Sequence, residues 1–408
     1  MNSPLRILYI CHEGALYGSQ QSLLLILRNL DRQKFQPIVS IARPGPLNKI
    51  LEEELNIPVL SHKRLQWFKH DRRNLFKRIG DLIALQVNSY IAPWKLARHI
   101  QQYDIHLVHT NSVVSLEGPI AAMLARVPHI WHIRELFMED NPKLNAVLGK
   151  RLTRLFIHHL SSRVFCISEA VKAQFKPYLK QYPAKYPRIY NALNLPEEVR
   201  SKAGSPVFQI GYVGRLSAGK RFHDLVDAMA LIRQETQTSF HLTVAGTFVD
   251  MPYEALVKDK IAAHQLEPYI TLMGHQADLE PIYQSLDVLV VPSLNEPFGR
   301  VVIEAMARQI PCIAAKAGGI PEIIDENKTG YLFAPKDVRT LANILKEAMT
   351  APDKLITMGA HAREAVANRF GVTQQMEHVQ ACYIRTYREC AITTQIRGTS
   401  SASKERTQ

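Results

Sequence analysis

Two glutamates, Glu296 and Glu304, bracket a strand-to-helix junction that runs from Val290 to Met306 as VVPSLNEPFGRVVIEAM. An apolar strand over Asp287–Pro292 leads into a polar loop, and a helix is predicted to begin near Phe298 and Gly299. Amide groups at a helix start attract an anion, and Gly299 lets that anion approach the backbone closely. Glu304 lies deeper in the helix than a capping acid would, where a carboxylate can accept a pair of hydroxyls such as a ribose diol. Glu296 then faces whatever lies beyond the phosphates. One short segment can hold a sugar, a diphosphate and a nucleoside in this way. Taken alone, the two residues read equally as a loop acid and a solvated helix acid.

Arg215 and Lys220 lie in the turn GRLSAGK, after the strand Phe208–Val213. In a parallel sheet that turn is at the carboxyl edge, the edge from which Glu296 and Gly299 also emerge. Two fixed cations there would neutralise a diphosphate and stabilise it as a leaving group. Without the neighbouring segment they read as surface cations. No Asp-x-Asp occurs in the chain, so a divalent metal has no obvious carboxylate pair with which to bridge to phosphate. His132 ends a buried strand of the first half, where it could contact a reacting sugar, although a lone histidine at a strand end also serves structure. Arg134 and Glu135 beside it read as an ion pair. His106, His109, His158 and His159 lack the partner set of a metal site and read as structural.

The elements that must position these residues follow from a 408-residue chain, long enough for two domains with ample cores. Hydrophobic content of 46% and charged content of 21% are those of a globular protein. The longest apolar runs fall short of the roughly 18–20 residues that span a bilayer, and the start, MNSPLRILYICHEG, enters a strand without a signal-peptide core. A cytoplasmic location is expected. The five cysteines form no Cys-x-x-Cys pair, which argues against a structural zinc and against disulfides. A net charge of +13 implies attraction to something anionic. It is concentrated between Ser61 and Ile100, where Lys63, Arg64, Lys69, Arg72, Arg73, Lys77, Arg78, Lys95 and Arg98 interleave with Trp67, Phe68 and Phe76. That pattern suits an anionic membrane surface or a solvated helix face; nucleic acid is not expected, since no binding motif accompanies the charge.

Along the chain, strands alternate with amphipathic helices. Arg6–Cys11 and a turn bearing Gly14 and Gly18 open the first half, without the GxGxxG of a dinucleotide site. Strands at Pro37–Ala42, Ile57–Leu60, Ile105–His109, His129–Ile133 and Val164–Ile167 follow, with helices at Asn145–Leu160 and Ser168–Tyr178. Pro177, Pro183, Pro187, Pro196 and Pro206 mark a linker before the alternation restarts. The second half carries strands at His241–Ala245, Ile270–Met273, Val288–Val291, Cys312–Ala314 and Gly330–Phe333, a Gly318-Gly319 turn, and a helix at Thr373–Tyr387. The Ser- and Thr-rich tail from Ile392 reads as disordered.

Taken together these residues resemble the retaining glycosyltransferases of the GT-B superfamily, family 4. The central segment looks like that family's Glu-x7-Glu motif. IWHIRE, RVFCISEAVKAQF, IYNALNL, GYVGRLSAGKRF, MGHQADLEPIYQSLDVLVVPS and AAKAGGIPEIIDENKTGYLF agree with it in order. The likeness covers nearly the whole chain to about Tyr387, and is most specific in the second half. It implies that Arg215 and Lys220 bind the donor diphosphate, that Glu304 holds the ribose and that Glu296 contacts the transferred sugar. It further implies that the amides of Phe298, Gly299 and Arg300 cap the phosphates, that Gly246, His275 and Gln276 flank the base, and that His132 lies near the sugar. Where the family has a Gly-Gly loop, this chain reads Tyr17-Gly18, which bears on how closely that loop approaches the donor.

The expected fold is therefore α/β, with two Rossmann-like domains facing across a cleft: 1–190 for the acceptor, a linker at 191–206, and 207–370 for the donor. A crossover helix at 371–390 returns to the first domain, ahead of the tail at 391–408. The expected reaction is metal-independent transfer, with retention, of a sugar from a nucleoside-diphosphate sugar to a hydroxyl of a glycan or lipid-linked acceptor. No cofactor is expected. Two other classes stay open: a nucleotide-sugar epimerase of the same architecture, and a non-catalytic protein that binds an anionic surface.

Overall fold

The computed structural model describes residues 3–65, 67–69, 92–138, 145–199, 207–236 and 238–405. The chain divides into two units, Met1–Ala192 with Val372–Gln408, and Leu193–Gly371. Each is a parallel sheet covered by helices.

In the first unit the strands are β1 (Leu5–Cys11), β2 (Phe35–Ile41), β3 (Val59–Ser61), β4 (Phe68–Lys69), β5 (Leu107–Asn111), β6 (His129–Ile133), β7 (Asn145–Ala146) and β8 (Arg163–Cys166). Six of them form a sheet in the order β3-β2-β1-β5-β6-β8, while β4 and β7 pair separately. Alternate residues along each strand feed different cores, as the two-residue pleat demands. Leu8, Ile10, Ile38 and Val108 pack with Leu96, Ala97 and Ile100 of a helix over 92–102, and with Ala121 and Ala122 of helix Glu117–Ala125. Ile7, Tyr9, Val39, Leu107 and Ile130 pack instead with helix Gly18–Arg28 and with Met376, Val379 and Tyr383. These last three residues lie on the final helix, Val372–Glu405, so the end of the chain completes the core of the first unit. Tyr383 packs edge-on against Phe35 and Tyr9, and its hydroxyl lies 2.7 Å from Nδ1 of His109.

The second unit is built from β9 (Phe208–Val213), β10 (Phe240–Ala245), β11 (Ile270–Gly274), β12 (Val288–Val291), β13 (Cys312–Ala315) and β14 (Gly330–Phe333). Their order is β11-β10-β9-β12-β13-β14. The order reverses at β9 and β12, the place where a doubly wound sheet opens a crevice at its carboxyl edge.

Local structure departs from expectation in three places. The helix expected over Asn145–Leu160 is shorter, Lys150–His159, because Gly149 adopts φ +79° at its start and β7 precedes it. The helix expected over Ser168–Tyr178 is split into Glu169–Ala173 and Lys176–Leu179. Ser168 caps the first piece, accepting the Val171 amide at 3.0 Å. Pro177 sits in the first turn of the second piece, where its missing amide proton is not needed. The last helix continues to Glu405 instead of giving way to a disordered tail; extending a formed helix adds a bond per residue and avoids the cost of a new nucleus. Of the basic stretch Ser61–Ile100, residues 66 and 70–91 lie outside the described residues.

Candidate active site

In the second unit, the carboxyl edge is shaped by three glycines, Gly214, Gly246 and Gly274, at the ends of β9, β10 and β11. Their φ angles of +146°, +155° and +69° are open to glycine and strained for other residues. The Gly214 amide donates to the Ala245 carbonyl at 2.9 Å, and the Gly246 amide to the Gly274 carbonyl at 2.8 Å. A Cβ on Gly246 would stand 1.9 Å from the Gly214 oxygen. Gly246 is thus a requirement of the edge itself. His275 and Gln276 follow Gly274 at the outer end of this edge; His275 is exposed, and Nε2 of the Gln276 side chain donates to the Met273 carbonyl at 2.7 Å.

Lys220 and Glu296 meet directly. The turn after β9 carries Lys220 on the short helix Ala218–Lys220, and its ammonium pairs with the Glu296 carboxylate. The backbone joins the same two loops, with the Leu294 amide donating to the Gly219 carbonyl at 3.0 Å. From the other side, the Gly319 amide donates to the Glu296 carbonyl at 2.8 Å. Gly318 has φ +57°, and a Cβ there would sit 2.0 Å from that carbonyl oxygen. The loop bearing Glu296 is therefore clasped between two turns.

Arg215 is exposed at the same turn, and its carbonyl accepts the Tyr212 hydroxyl at 3.1 Å. Burial pushes the Tyr212 phenol well above its ordinary range; Tyr253 and the Glu296 carboxylate push the same way, and the Arg215 guanidinium opposes them. Glu296, Arg215 and Lys220 thus gather around the end of β9.

Glu304 stands on helix Arg300–Met306, whose N-cap Gly299 takes φ +114°. Both of its oxygens are engaged. Oε1 accepts Nε of Arg300 at 2.7 Å and Oε2 accepts the buried Tyr283 hydroxyl at 3.1 Å. Each oxygen retains a further lone-pair direction for an incoming hydroxyl. The Phe298 side chain is buried against Phe370, ring centres 5.6 Å apart, so only the backbone of Phe298 is suited to meeting a ligand.

In the first unit His132 lies at the carboxyl end of β6, fully buried, with its ring between His109 and Phe165. Burial, reinforced by Arg134 and His109, holds its pKa well below the usual histidine range, so the ring is neutral at pH 7. Arg134 approaches Nδ1 at 3.4 Å, and Nε2 is buried without a hydrogen-bond partner among the described residues. The ion pair expected of Arg134 and Glu135 is replaced by other bonds. Arg134 donates to Asn111 at 2.6 Å and to Asn191 at 2.7 Å, while Glu135 accepts Ser112 Oγ and the Val113 amide. Gly18 opens helix Gly18–Arg28, where a Cβ would meet nothing within 4 Å, and Tyr17 before it is 59% exposed.

Two family models divide the chain between them: glycosyltransferase family 4 over residues 17–196, and glycosyl transferases group 1 over residues 197–365. The chain belongs to the family 4 glycosyltransferases. It is 25% identical over 406 residues to the Escherichia coli UDP-Gal:alpha-D-GlcNAc-diphosphoundecaprenol alpha-1,3-galactosyltransferase, covering 94% of this chain and 97% of the relative. It is 29% identical over 297 residues to the 2-deoxystreptamine glucosyltransferase of Streptomyces kanamyceticus, covering 66% and 74%. Among solved structures, Anabaena HepE in complex with UDP superimposes with a TM-score of 0.76 at 23% identity, over 93% of this chain and 100% of that one. The fold of this glycosyltransferase is thus GT-B.

Several residues that shape this carboxyl edge give no signal of their own in the sequence. Gly214 reads only as the first residue of the turn GRLSAGK and Gly274 only as part of the run MGHQADLEPIYQSLDVLVVPS, and Gly318-Gly319 reads as a plain turn, although a Gly-Gly pair between strands signals a close backbone approach. Tyr283 gave no signal, because its link to Glu304 joins residues on different helices.

Proposed function

We propose that the enzyme transfers a sugar, with retention and without a metal, from a nucleoside-diphosphate sugar to a hydroxyl of a glycan or lipid-linked acceptor. The observation that carries this reading is the clasped Lys220–Glu296 pair at the carboxyl edge, with Arg215 beside it. An arriving diphosphate would draw Lys220 and Arg215 to its oxygens and stabilise the departing charge. Glu296, released from Lys220, would then accept hydroxyls of the sugar. Glu304, oriented by Arg300 and Tyr283, would take the ribose diol, while the Phe298, Gly299 and Arg300 amides meet the phosphates. Gly246, His275 and Gln276 would flank the base. In the first unit, Gly18 would approach the donor, and neutral His132 would serve as a hydrogen-bonding contact to the sugar, not as a cation.

The missing Asp-x-Asp supports charge stabilisation by these cations. The name of the Escherichia coli relative supports UDP as the nucleotide and a diphosphate-linked lipid as the acceptor class. Such an acceptor agrees with peripheral association at an anionic membrane face through residues 61–100, of which Trp94, Lys95 and Arg98 are exposed. The test is a thermal-shift screen of UDP-, GDP- and ADP-sugars, followed by an assay of transfer against epimer formation. A bound donor raises the melting temperature by mass action. No stabilisation by any nucleotide sugar, or epimer formed without an acceptor, would refute the proposal.

A further inference from the structure

Arg134 directs two of its nitrogens to asparagine side chains and the third to a histidine. Nε donates to Oδ1 of Asn111 at 2.6 Å and Nη1 to Oδ1 of Asn191 at 2.7 Å, while Nη2 lies 3.4 Å from Nδ1 of His132. Asn111 is itself turned by Ser19 of helix Gly18–Arg28. The Ser19 carbonyl accepts Nδ2 of Asn111 at 3.1 Å, which leaves the amide oxygen for Arg134. Glu135 fixes the backbone here, its Oε2 accepting the Val113 amide at 3.0 Å and the Arg134 amide at 3.1 Å. Arg134 is buried and held on three sides.

That arrangement decides which nitrogen of His132 carries the proton. A guanidinium has donors only and is not deprotonated in proteins, so the Nδ1 that faces it can only accept. Burial, reinforced by Arg134, keeps the ring neutral at pH 7, and its single N–H is therefore on Nε2. His109 makes the contrast. Its Nδ1 is 2.7 Å from the Tyr383 hydroxyl, which can donate or accept, so either tautomer fits there. Nε2 of His132 is thus a donor, buried and without an acceptor among the described residues. Leaving a buried donor unpaired is costly, and such an atom at a ligand-binding edge calls for an acceptor that arrives with the ligand. With Nδ1 occupied and Nε2 protonated, the ring has no lone pair to spare. It can give a hydrogen bond but cannot take a proton.

We infer that Arg134 is a positioning residue: it fixes His132 as the Nε2–H tautomer, so that the imidazole donates to an oxygen of the sugar being transferred. Asn111 and Asn191 aim the guanidinium, and Asn111 ties it to the start of the helix that Gly18 opens. The identity of the acceptor oxygen rests on the proposed transfer reaction, whereas the tautomer belongs to the protein alone.

The test begins with the full chain carrying isotope-labelled histidine, without donor, at pH 7. Long-range proton–nitrogen correlation spectra separate the two tautomers, and the signal that His132→Gln removes identifies the ring. The wild type should show Nδ1 as the bare nitrogen and Nε2 as the protonated one. Arg134→Met, which lacks a donor, should exchange this single pattern for a mixture; Arg134→Lys, which keeps a cationic donor, should retain it. In transfer assays with the nucleotide sugar that most stabilises the protein in the thermal screen, Arg134→Met should lower kcat/KM about tenfold, the equivalent of one hydrogen bond. Arg134→Lys should recover most of that loss. In a His132→Gln background Arg134→Met should cost nothing further, because the glutamine amide carries its own donor and needs no tautomer set for it. An arginine that only supported the fold would cost the same in both backgrounds. A wild-type ring that is charged or protonated on Nδ1 would overturn the inference, whether or not the variants fold. So would a tautomer unchanged in Arg134→Met, or an equal loss in the two backgrounds. If no nucleotide sugar is turned over, the transfer reaction is refuted instead, and the spectra still decide what Arg134 does to His132.

Discussion

The ammonium of Lys220 and the carboxylate of Glu296 are paired across two loops that are also joined by a backbone hydrogen bond from Leu294 to Gly219. Each charge holds the other in place until a ligand with its own charge competes. Replacing either residue by alanine should lower turnover by about 10²–10³-fold, the usual cost of losing a group that meets developing charge. The melting temperature should stay near that of the wild type, because the pair is partly solvated and such pairs add little stability. Steady-state transfer assays beside thermal melts check this; near-normal turnover in either variant would remove the assignment.

Glu304 is held on one oxygen by Arg300 and on the other by Tyr283. If it takes a ribose diol, Glu304→Gln should weaken UDP binding about ten- to a hundredfold, since hydrogen bonds to a charged group contribute roughly 1.5–3 kcal/mol. Tyr283→Phe, which removes only an orienting bond, should weaken it by a smaller factor. Calorimetric titration with UDP measures both, and equal affinity for all three proteins would exclude the ribose role.

Gly318 meets the Glu296 carbonyl so closely that a methyl group has no place, and its φ is positive. Gly318→Ala should destabilise the protein by about 1–3 kcal/mol and weaken donor binding, because Glu296 must move. Gly219→Ala, where a Cβ would meet nothing within 4 Å, is the matched control and should melt like the wild type. Identical melting curves for the two variants would contradict the clasp.

His109, His129 and His132 are all buried in the first unit, and burial lowers each of their pKa values, that of His129 to about 3. In the unfolded chain they titrate near 6.5. Below that pH the unfolded state binds more protons than the folded one, so their contribution is complete above pH 6.5 and is lost on acidification. The slope is about 1.4 kcal/mol per pH unit for each histidine until its folded-state value is reached. All three tryptophans, Trp67, Trp94 and Trp131, lie in the first unit, so tryptophan fluorescence in urea reports its stability directly. The urea midpoint should fall between pH 7 and pH 5, and an unchanged midpoint would show these rings to be protonated in the fold.

Much of this was legible in the chain because it is local. The strand before Glu296, the turn holding Arg215 and Lys220, and the depth of Glu304 in its helix are matters of spacing within a few residues. The partners were not legible, because they arrive from elsewhere. Gly214 and Gly246 need each other only because β9 and β10 lie side by side, and Tyr283 reaches Glu304 from another helix. Arg300 was expected to contribute its amide, while its side chain spends itself on Glu304. The interruption at Gly149 was missed because the apolar periodicity continues across it, and periodicity does not register a single residue with positive φ.

The placement of Tyr383 has a consequence for synthesis. The hydroxyl bonded to His109 belongs to a residue that is made after the whole of the second unit, yet it fills the middle of the first. Strands β1 to β8 must wait with an open seam on one side while the whole of Leu193–Gly371 emerges and becomes free to fold. Vectorial production therefore finishes the second unit before the first, and a message cut short anywhere before Tyr383 yields a sheet whose seam stays open.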